Sequence, residues 1–159
     1  MFQRILLALD SGDSGSIATS FTVALARNRD ATVHVVHVNE FLVGGRGIMT
    51  ESPEEATDLV GDALRDLHTA GVRATGITYR TTRIDVPAAI CDLAQQVRAD
   101  VIVLGSRRRR LPGLLKRNTR ERIARRTPLP VITAPAPLRV RRRDRKLQAI
   151  PPLDISVRS

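Results

Sequence analysis

Short apolar runs alternate with amphipathic segments along most of this 159-residue chain, and this alternation restricts the fold more than any other feature. Runs typical of buried strands occur five times. Between them, apolar residues recur at intervals of three and four, which predicts helices with one buried face. Strands that alternate with helices are joined by right-handed crossovers, so the sequence predicts an α/β domain with a parallel sheet.

Turn residues and apolar periods place these elements along the chain. Residues 2–9, 32–38, 72–79, 101–104 and 129–133 are the predicted strands, and the helices are expected to begin at residues 16, 53, 86 and 119. Ligands of parallel sheets bind outside the carboxyl ends of the strands. Asp10 and Gly105 each follow a predicted strand and mark that edge as the candidate binding site.

Basic residues are concentrated in the last third of the chain. Residues 105–146 contain 16 Lys and Arg against two acidic residues, whereas the remainder has 10 basic and 14 acidic residues. This asymmetry favours nucleic acid, an acidic surface or nucleotide phosphates as partners. Aromatic residues make up 3% of the chain, so nucleic-acid binding would depend on the phosphate backbone and would weaken steeply with salt.

The periodic pattern ends after Pro135, where a basic, proline-containing stretch begins. We therefore expect one domain over residues 1–135 and a mobile basic tail over residues 136–159. Since no apolar run has the length of a membrane span and the amino terminus lacks a signal-peptide pattern, a cytoplasmic protein is expected.

Several kinds of chemistry are disfavoured by the residue types and their spacing. Cys91 is the only cysteine and is interpreted as a small apolar residue on a helix face. His34 and His37 would point to opposite faces of a strand, so they are not expected to share a metal ion. Nucleophile-elbow and Walker A patterns are absent, which favours a protein that is not an enzyme. The loop from Ser11 to Ser14 lacks the paired glycines of the pyrophosphate loop in AMP-forming ligases.

Four segments resemble the universal stress protein family: Ile5–Asp10, Val33–Val38, Asp100–Arg107 and Glu121–Val131. The resemblance covers about residues 1–134. It implies a five-stranded parallel sheet in the order 3-2-1-4-5 with helices on both faces, the Rossmann-like arrangement of the adenine nucleotide α-hydrolase fold. It also implies a non-catalytic stress-response protein that forms homodimers through its last strand, here Val131, Ile132 and Thr133.

ATP-binding members of that family carry a glycine, two residues, a second glycine, nine residues, and a third glycine followed by Ser or Thr. The matching positions here are Gly105, Arg108 and Asn118, followed by Thr119, so the spacing is kept but two glycines are lost. Arg108 either obstructs the phosphate site, or the neighbouring arginines contact phosphates in place of the lost backbone donors. The degenerate motif favours weak or lost ATP binding. The ligand is accordingly ATP, another adenine nucleotide or none, and no cofactor is required.

The resemblance also carries over a set of residues that would surround an adenine nucleotide. Asp10 and Val38 would flank the adenosine with Ala8 nearby. The remaining residues would line the sugar and the phosphates: Leu104, Gly105, Arg107, Arg108, Asn118, Thr119 and Arg120.

Overall fold

The computed structural model describes residues 2–10, 14–27, 30–41, 52–82, 86–105 and 119–135. Their elements, in chain order, are β1 (Arg4–Leu9), α1 (Ser14–Ala26), β2 (Thr32–Phe41), α2 (Pro53–Thr69), β3 (Arg73–Thr82), α3 (Val86–Gln96), β4 (Val101–Leu104), α4 (Thr119–Ala124) and β5 (Val131–Thr133). No helix in this part of the chain combines the length and the apolar character that crossing a bilayer requires.

The five strands form one sheet in the order β3-β2-β1-β4-β5, and every neighbouring pair is parallel. This confirms the predicted fold class. The central strand β1 is aligned with β2 over its whole length, and Ile5 to Ala8 are also aligned with Val101 to Leu104 of β4. The carboxyl ends of β2, β1 and β4 therefore lie side by side at one edge of the sheet.

Two apolar layers cover the two faces of the sheet because successive strand residues point to opposite sides. One face packs against α1 and α2, with Leu67 of α2 fully buried in that layer. The other packs against α3 and α4, where Ile123 is the buried residue of α4. Both faces are covered, which explains why β1 and β4 read as continuous apolar runs rather than alternating ones.

The capping residues at the two ends of α2 explain where this helix begins and ends. Ser52 precedes the helix, and its hydroxyl accepts a 3.1 Å hydrogen bond from the backbone N–H of Glu55. The Glu55 carboxylate accepts in return from the backbone N–H of Ser52 at 2.8 Å, which completes a capping box. Gly71 follows the last turn with a φ of 77°, a conformation that favours glycine, so the predicted stop is confirmed.

Several element boundaries differ from the predictions for identifiable reasons. β1 begins at Arg4 rather than at residue 2, because the Asp100 carboxylate accepts the backbone N–H groups of Gln3 and Arg4. β5 begins at Val131 rather than at residue 129, because Pro130 has no backbone N–H to donate to the sheet. β2 and β3 each run three residues further than predicted, because their pairing continues in register to residues 41 and 82.

Two glycines at the contact of α2 with β3 predict opposite effects on stability. A Cβ on Gly76 of β3 would lie 2.5 Å from Val60 Cγ1 and 3.0 Å from Leu64 Cδ1, so α2 packs directly on the glycine backbone. A Cβ on Gly61 of α2 would meet only Arg65 Nη1, at 3.6 Å. We expect Gly76→Ala to lower the free energy of unfolding by about 1–3 kcal/mol through overpacking, since a β-branched valine in a helix cannot change rotamer easily.

Gly61→Ala is the matched control, because the same methyl group enters a helix interior without a clash. It should raise the free energy of unfolding by about 0.5–1 kcal/mol, the cost of glycine in a helix relative to alanine. Urea denaturation of both variants measures the difference. Equal stabilisation by the two substitutions would show that α2 does not pack this closely on β3.

Candidate functional site

Three neighbouring strands present apolar side chains near the carboxyl edge of the sheet. Ala8 of β1 is aligned with Leu104 of β4 on one side and with Val36 of β2 on the other, and Val38 lies two residues further along β2. All four side chains are buried in the layer that α3 and α4 cover. The structure therefore brings Ala8, Val38 and Leu104 together as one apolar floor.

Asp10 and Gly105 lie immediately beyond this floor. Because Ala8 and Leu104 are aligned, the chain leaves the sheet at adjacent points after β1 and β4. Both Asp10 and Gly105 are half-buried. The first turn of α1 lies close to the same point, since a Cβ on Gly15 would be 3.9 Å from the carbonyl oxygen of Asp10. The structure thus brings the ends of β1 and β4, with Asp10 and Gly105, to neighbouring positions at one edge, and their role as site residues stays a prediction.

Thr119 and Arg120 form the first turn of α4, and both are exposed. This helix connects the carboxyl end of β4 to the amino end of β5, so its first residues lie towards the carboxyl edge. Ile123, fully buried in the layer that contains Ala8 and Leu104, fixes the helix to the sheet. The other predicted phosphate-side residues, Arg107, Arg108 and Asn118, lie outside the described residues, as does the tail of residues 136–159.

This arrangement suits a ligand that is apolar in one part and rich in hydroxyl or anionic groups in another. The floor is apolar where it meets the carboxyl edge, which suits contact with a flat ring. A carboxylate at Asp10 accepts hydrogen bonds from hydroxyl groups. Backbone groups at the ends of parallel strands are free of the ladder and can contact a ligand closely, above all at glycine.

The three histidines have structural hydrogen bonds rather than a common site. Nδ1 of His34 is 2.8 Å from the hydroxyl of Thr75, Nδ1 of the buried His37 is 3.2 Å from the Leu9 carbonyl oxygen, and Nε2 of His68 is 3.1 Å from the Ala74 carbonyl oxygen. Partial burial, with the nearby charge of Arg4, lowers the pKa of His34. Among the residues that the structure describes, no group of His, Cys, Asp and Glu could hold a metal ion.

Cys91 has the structural role that its sequence context predicts. The residue is buried in α3, and burial raises the pKa of its thiol, which disfavours the reactive thiolate. Its Sγ lies 3.9 Å from the carbonyl oxygen of Ile123, so the thiol packs at the contact of α3 with α4.

Two buried polar groups near the candidate edge were not singled out by the sequence. Asn39 is buried next to Val38 on β2. Thr133 is aligned with Leu104 at the end of β5, and its buried hydroxyl oxygen has no hydrogen-bonding partner within the described part of the chain. The sequence placed Thr133 in the last strand as part of the expected dimer edge. It did not indicate the unpaired hydroxyl, because a threonine fits the β-branched pattern whether or not its hydroxyl has a partner.

Two concave regions formed by described residues lie away from this edge. One, of about 210 Å³, is at the amino edge of the sheet, where Arg73 Nη2 and Asp30 Oδ1 form a 2.8 Å ion pair. The other, of about 380 Å³, runs between α2 and the outer side of β3. Neither touches the predicted site residues. The loops that follow β1, β2 and β4 include residues outside the described ranges.

Comparison with known proteins shows which families and structures this chain is similar to. The model of the Universal stress protein family matches residues 1–135. A universal stress protein from Archaeoglobus fulgidus is similar, with 26% identity, a TM-score of 0.64, and coverage of 85% of this chain and 100% of that one. No protein of curated function matches the sequence.

Two further solved structures share the fold. A protein of the universal stress protein family from Burkholderia pseudomallei has 23% identity and a TM-score of 0.66, covering 84% of this chain and 96% of that one. A universal stress protein from Archaeoglobus fulgidus in complex with dAMP has 24% identity and a TM-score of 0.62, covering 84% and 98%. Each of the three similarities covers nearly the whole length of the matched structure.

Proposed function

Because the chain belongs to the universal stress protein family, we propose that it binds an adenine nucleotide at the carboxyl edge of β1 and β4 and acts as a binding protein rather than an enzyme. The observation that carries this proposal is the adjacency of Asp10 and Gly105 beyond the floor of Ala8, Val38 and Leu104. The complex of a relative with dAMP supports an adenine nucleotide as the ligand. We take residues 1–135 as the functional domain.

In this proposal the apolar floor contacts the adenine ring, and the residues at the edge contact the ribose and the phosphates. The adenine ring lies over the apolar floor near Val38, and the Asp10 carboxylate accepts from the ribose hydroxyls. The sugar and first phosphate pass Gly105, where the absence of a side chain lets the backbone approach. Thr119 and Arg120 lie at the phosphate end, and an arginine there adds a charge-assisted hydrogen bond.

The substitutions at the phosphate motif favour a nucleotide with few phosphates. Positions 108 and 118 carry Arg and Asn where ATP-binding members have glycine. Glycines there allow the backbone to contact a triphosphate closely and to adopt positive φ. We therefore propose that ATP binding is weakened more than AMP binding, and that the domain folds without any cofactor.

Calorimetric titration with AMP, dAMP, ATP and cyclic AMP tests the nucleotide site. We expect AMP to bind and ATP to bind no more tightly. Asp10→Asn should weaken AMP binding by about 10- to 100-fold, the value of a hydrogen bond to a charged group. Asp92→Asn is the matched control, because Asp92 is exposed on α3 away from the edge. Its affinity for AMP should not change.

Two outcomes would contradict this function. Absence of any heat or thermal shift with all four nucleotides would exclude an adenine nucleotide site. A response to heparin or DNA that disappears at high salt, without a response to nucleotide, would favour the alternative function of a polyanion binder acting through the arginine-rich segments of residues 107–126 and 139–146.

We further propose that the domain forms a homodimer through β5. Among the described strands β5 pairs only with β4, and Val131, Ile132 and Thr133 are half-buried rather than covered. An unpaired strand edge of this kind is a template for pairing with another chain. The family resemblance, in which the last strand commonly pairs between subunits, supports the same edge.

A further inference from the structure

An exposed apolar patch lies on the opposite edge of the sheet from β5. Ile77 and Tyr79 of β3 are 51% and 42% exposed, and within the described residues they are the large apolar side chains left exposed. They are two residues apart, so they share one face of the strand. Their register partners on β2, Val36 and Val38, are buried. The face that α3 covers over β2 is therefore left open at Ile77 and Tyr79 of β3.

The strand that carries this patch is itself a long edge. β3 contains ten residues and pairs with β2 on one side only among the described strands. Every second residue of such a strand directs its backbone N–H and C=O groups outward, where an added strand can pair with them. The other edge, β5, has three residues, so β3 offers the longer edge for an added strand.

The two faces beside the β3 edge differ in character. One face carries Ile77 and Tyr79. On the other, a groove between α2 and β3 is lined by Thr57, Leu64 and Thr78. Helix α2, which packs on that face, is acidic overall, with five exposed carboxylates against one arginine, Arg65, which pairs with Asp62. The carboxylates are Glu54, Glu55, Asp58, Asp62 and Asp66. A strand added at this edge should therefore be apolar on one face and polar, with a basic group, on the other.

The chain contains one segment with this pattern. Residues 153–158 read Leu-Asp-Ile-Ser-Val-Arg, in strict alternation of apolar and polar residues after Pro151 and Pro152. Such alternation over six residues is typical of a strand with one buried face. The distance from the end of β5 across the sheet to the outer side of β3 is about five strand spacings, or roughly 24 Å. Residues 136–152, when extended, span up to about 55 Å, so the segment can reach that edge.

We propose that residues 153–158 add to the outer edge of β3 as a sixth, antiparallel strand that covers Ile77 and Tyr79. One register satisfies every side chain: Asp154 lies opposite Arg80, Ile155 opposite Tyr79, Val157 opposite Ile77, and Arg158 opposite Gly76 on the side of the acidic helix. A parallel arrangement that paired Ile155 with Ile77 would instead place Arg158 against Arg80. This inference is independent of the nucleotide site, and it replaces the expectation that residues 136–159 are mobile throughout.

Tyr79 provides a direct readout, because it is the only tyrosine and the chain has no tryptophan. We expect acrylamide to quench Tyr79 fluorescence at least twofold more efficiently in a chain ending at Pro152 than in the full chain. Hydrogen exchange of the outward-facing amides of β3 should accelerate about tenfold or more in the same truncation. Equal quenching and equal exchange in the two chains would overturn the proposal and leave the mobile tail.

Point variants of the full chain test the face and the register. Ile155→Asp places a charge against Tyr79 and should reproduce the truncation, whereas Leu147→Asp, the matched control outside the segment, should not. Asp154→Arg should raise quenching, and Arg80→Asp in the same chain should restore protection. We expect the protection of Tyr79 from quenching, and of the β3 amides from exchange, to be independent of protein concentration. Protection that appears only as the concentration rises would overturn addition within one chain, because the segment would then come from another copy.

Discussion

Replacing Ile123 with alanine is expected to lower the free energy of unfolding by about 2–5 kcal/mol, the usual cost of truncating a fully buried isoleucine. Ile123 is completely buried and is the buried residue of α4, which has six residues. A helix of this length has little stability of its own and depends on packing. The variant should therefore detach α4 from the sheet and displace Thr119 and Arg120 from the candidate site.

Urea denaturation and AMP titration together measure the two consequences of Ile123→Ala. Below the onset of unfolding, AMP affinity should fall although Asp10 and Gly105 are unchanged. Ile123→Val, which removes one methylene group, should cost about 0.5–1.5 kcal/mol and largely retain AMP binding. Ala124→Ser on the exposed side of the same turn is the surface control, expected within about 0.5 kcal/mol of the parent. Parent-like stability of Ile123→Ala would mean that α4 does not pack against β1 and β4.

The positions of the central strands could be predicted because their signals are local, whereas the strand order was implied by the family resemblance. β4 occupies Val101–Leu104 as expected, since four apolar residues are bounded by Asp100 and Gly105. The ends of β2 and β3 could not be predicted in the same way. Glu40 is aligned with Thr81 and Phe41 with Thr82, and these pairs extend both strands beyond their apolar runs. Pairing between strands is a property of two distant segments, which a local pattern does not contain.

Contacts between distant segments also explain what sequence reasoning missed near the site. The Asp100 carboxylate accepts from the backbone of Gln3, 97 positions away, and so sets where β1 begins. His37 contacts the Leu9 carbonyl oxygen from the neighbouring strand. By contrast, the adjacency of Asp10 and Gly105 was predictable once the family resemblance implied the strand order, because β1 and β4 are neighbours in that order and the carboxyl ends of parallel strands meet at one edge.

Restoring glycine at positions 108 and 118 is expected to raise the affinity for ATP by about tenfold or more, equivalent to at least about 1.4 kcal/mol. The spacing from Gly105 to these positions matches the ATP-binding pattern. The double variant Arg108→Gly, Asn118→Gly therefore has a glycine at every position where the pattern has one. Loss of the arginine side chain removes bulk where backbone and phosphates would meet, and glycine allows positive φ. AMP affinity should change much less, because AMP has no β- or γ-phosphate to gain these contacts.

Arg110→Gly is the matched control, since it removes one positive charge from the same arginine run without restoring a motif glycine. Calorimetric titration of ATP into the two variants separates steric from electrostatic effects. If Arg108 obstructs the site, the double variant gains affinity and Arg110→Gly does not. If the guanidinium groups instead bind the phosphates, both variants lose affinity for ATP, and the loss decreases as salt is added, because screening already weakens those contacts in the parent.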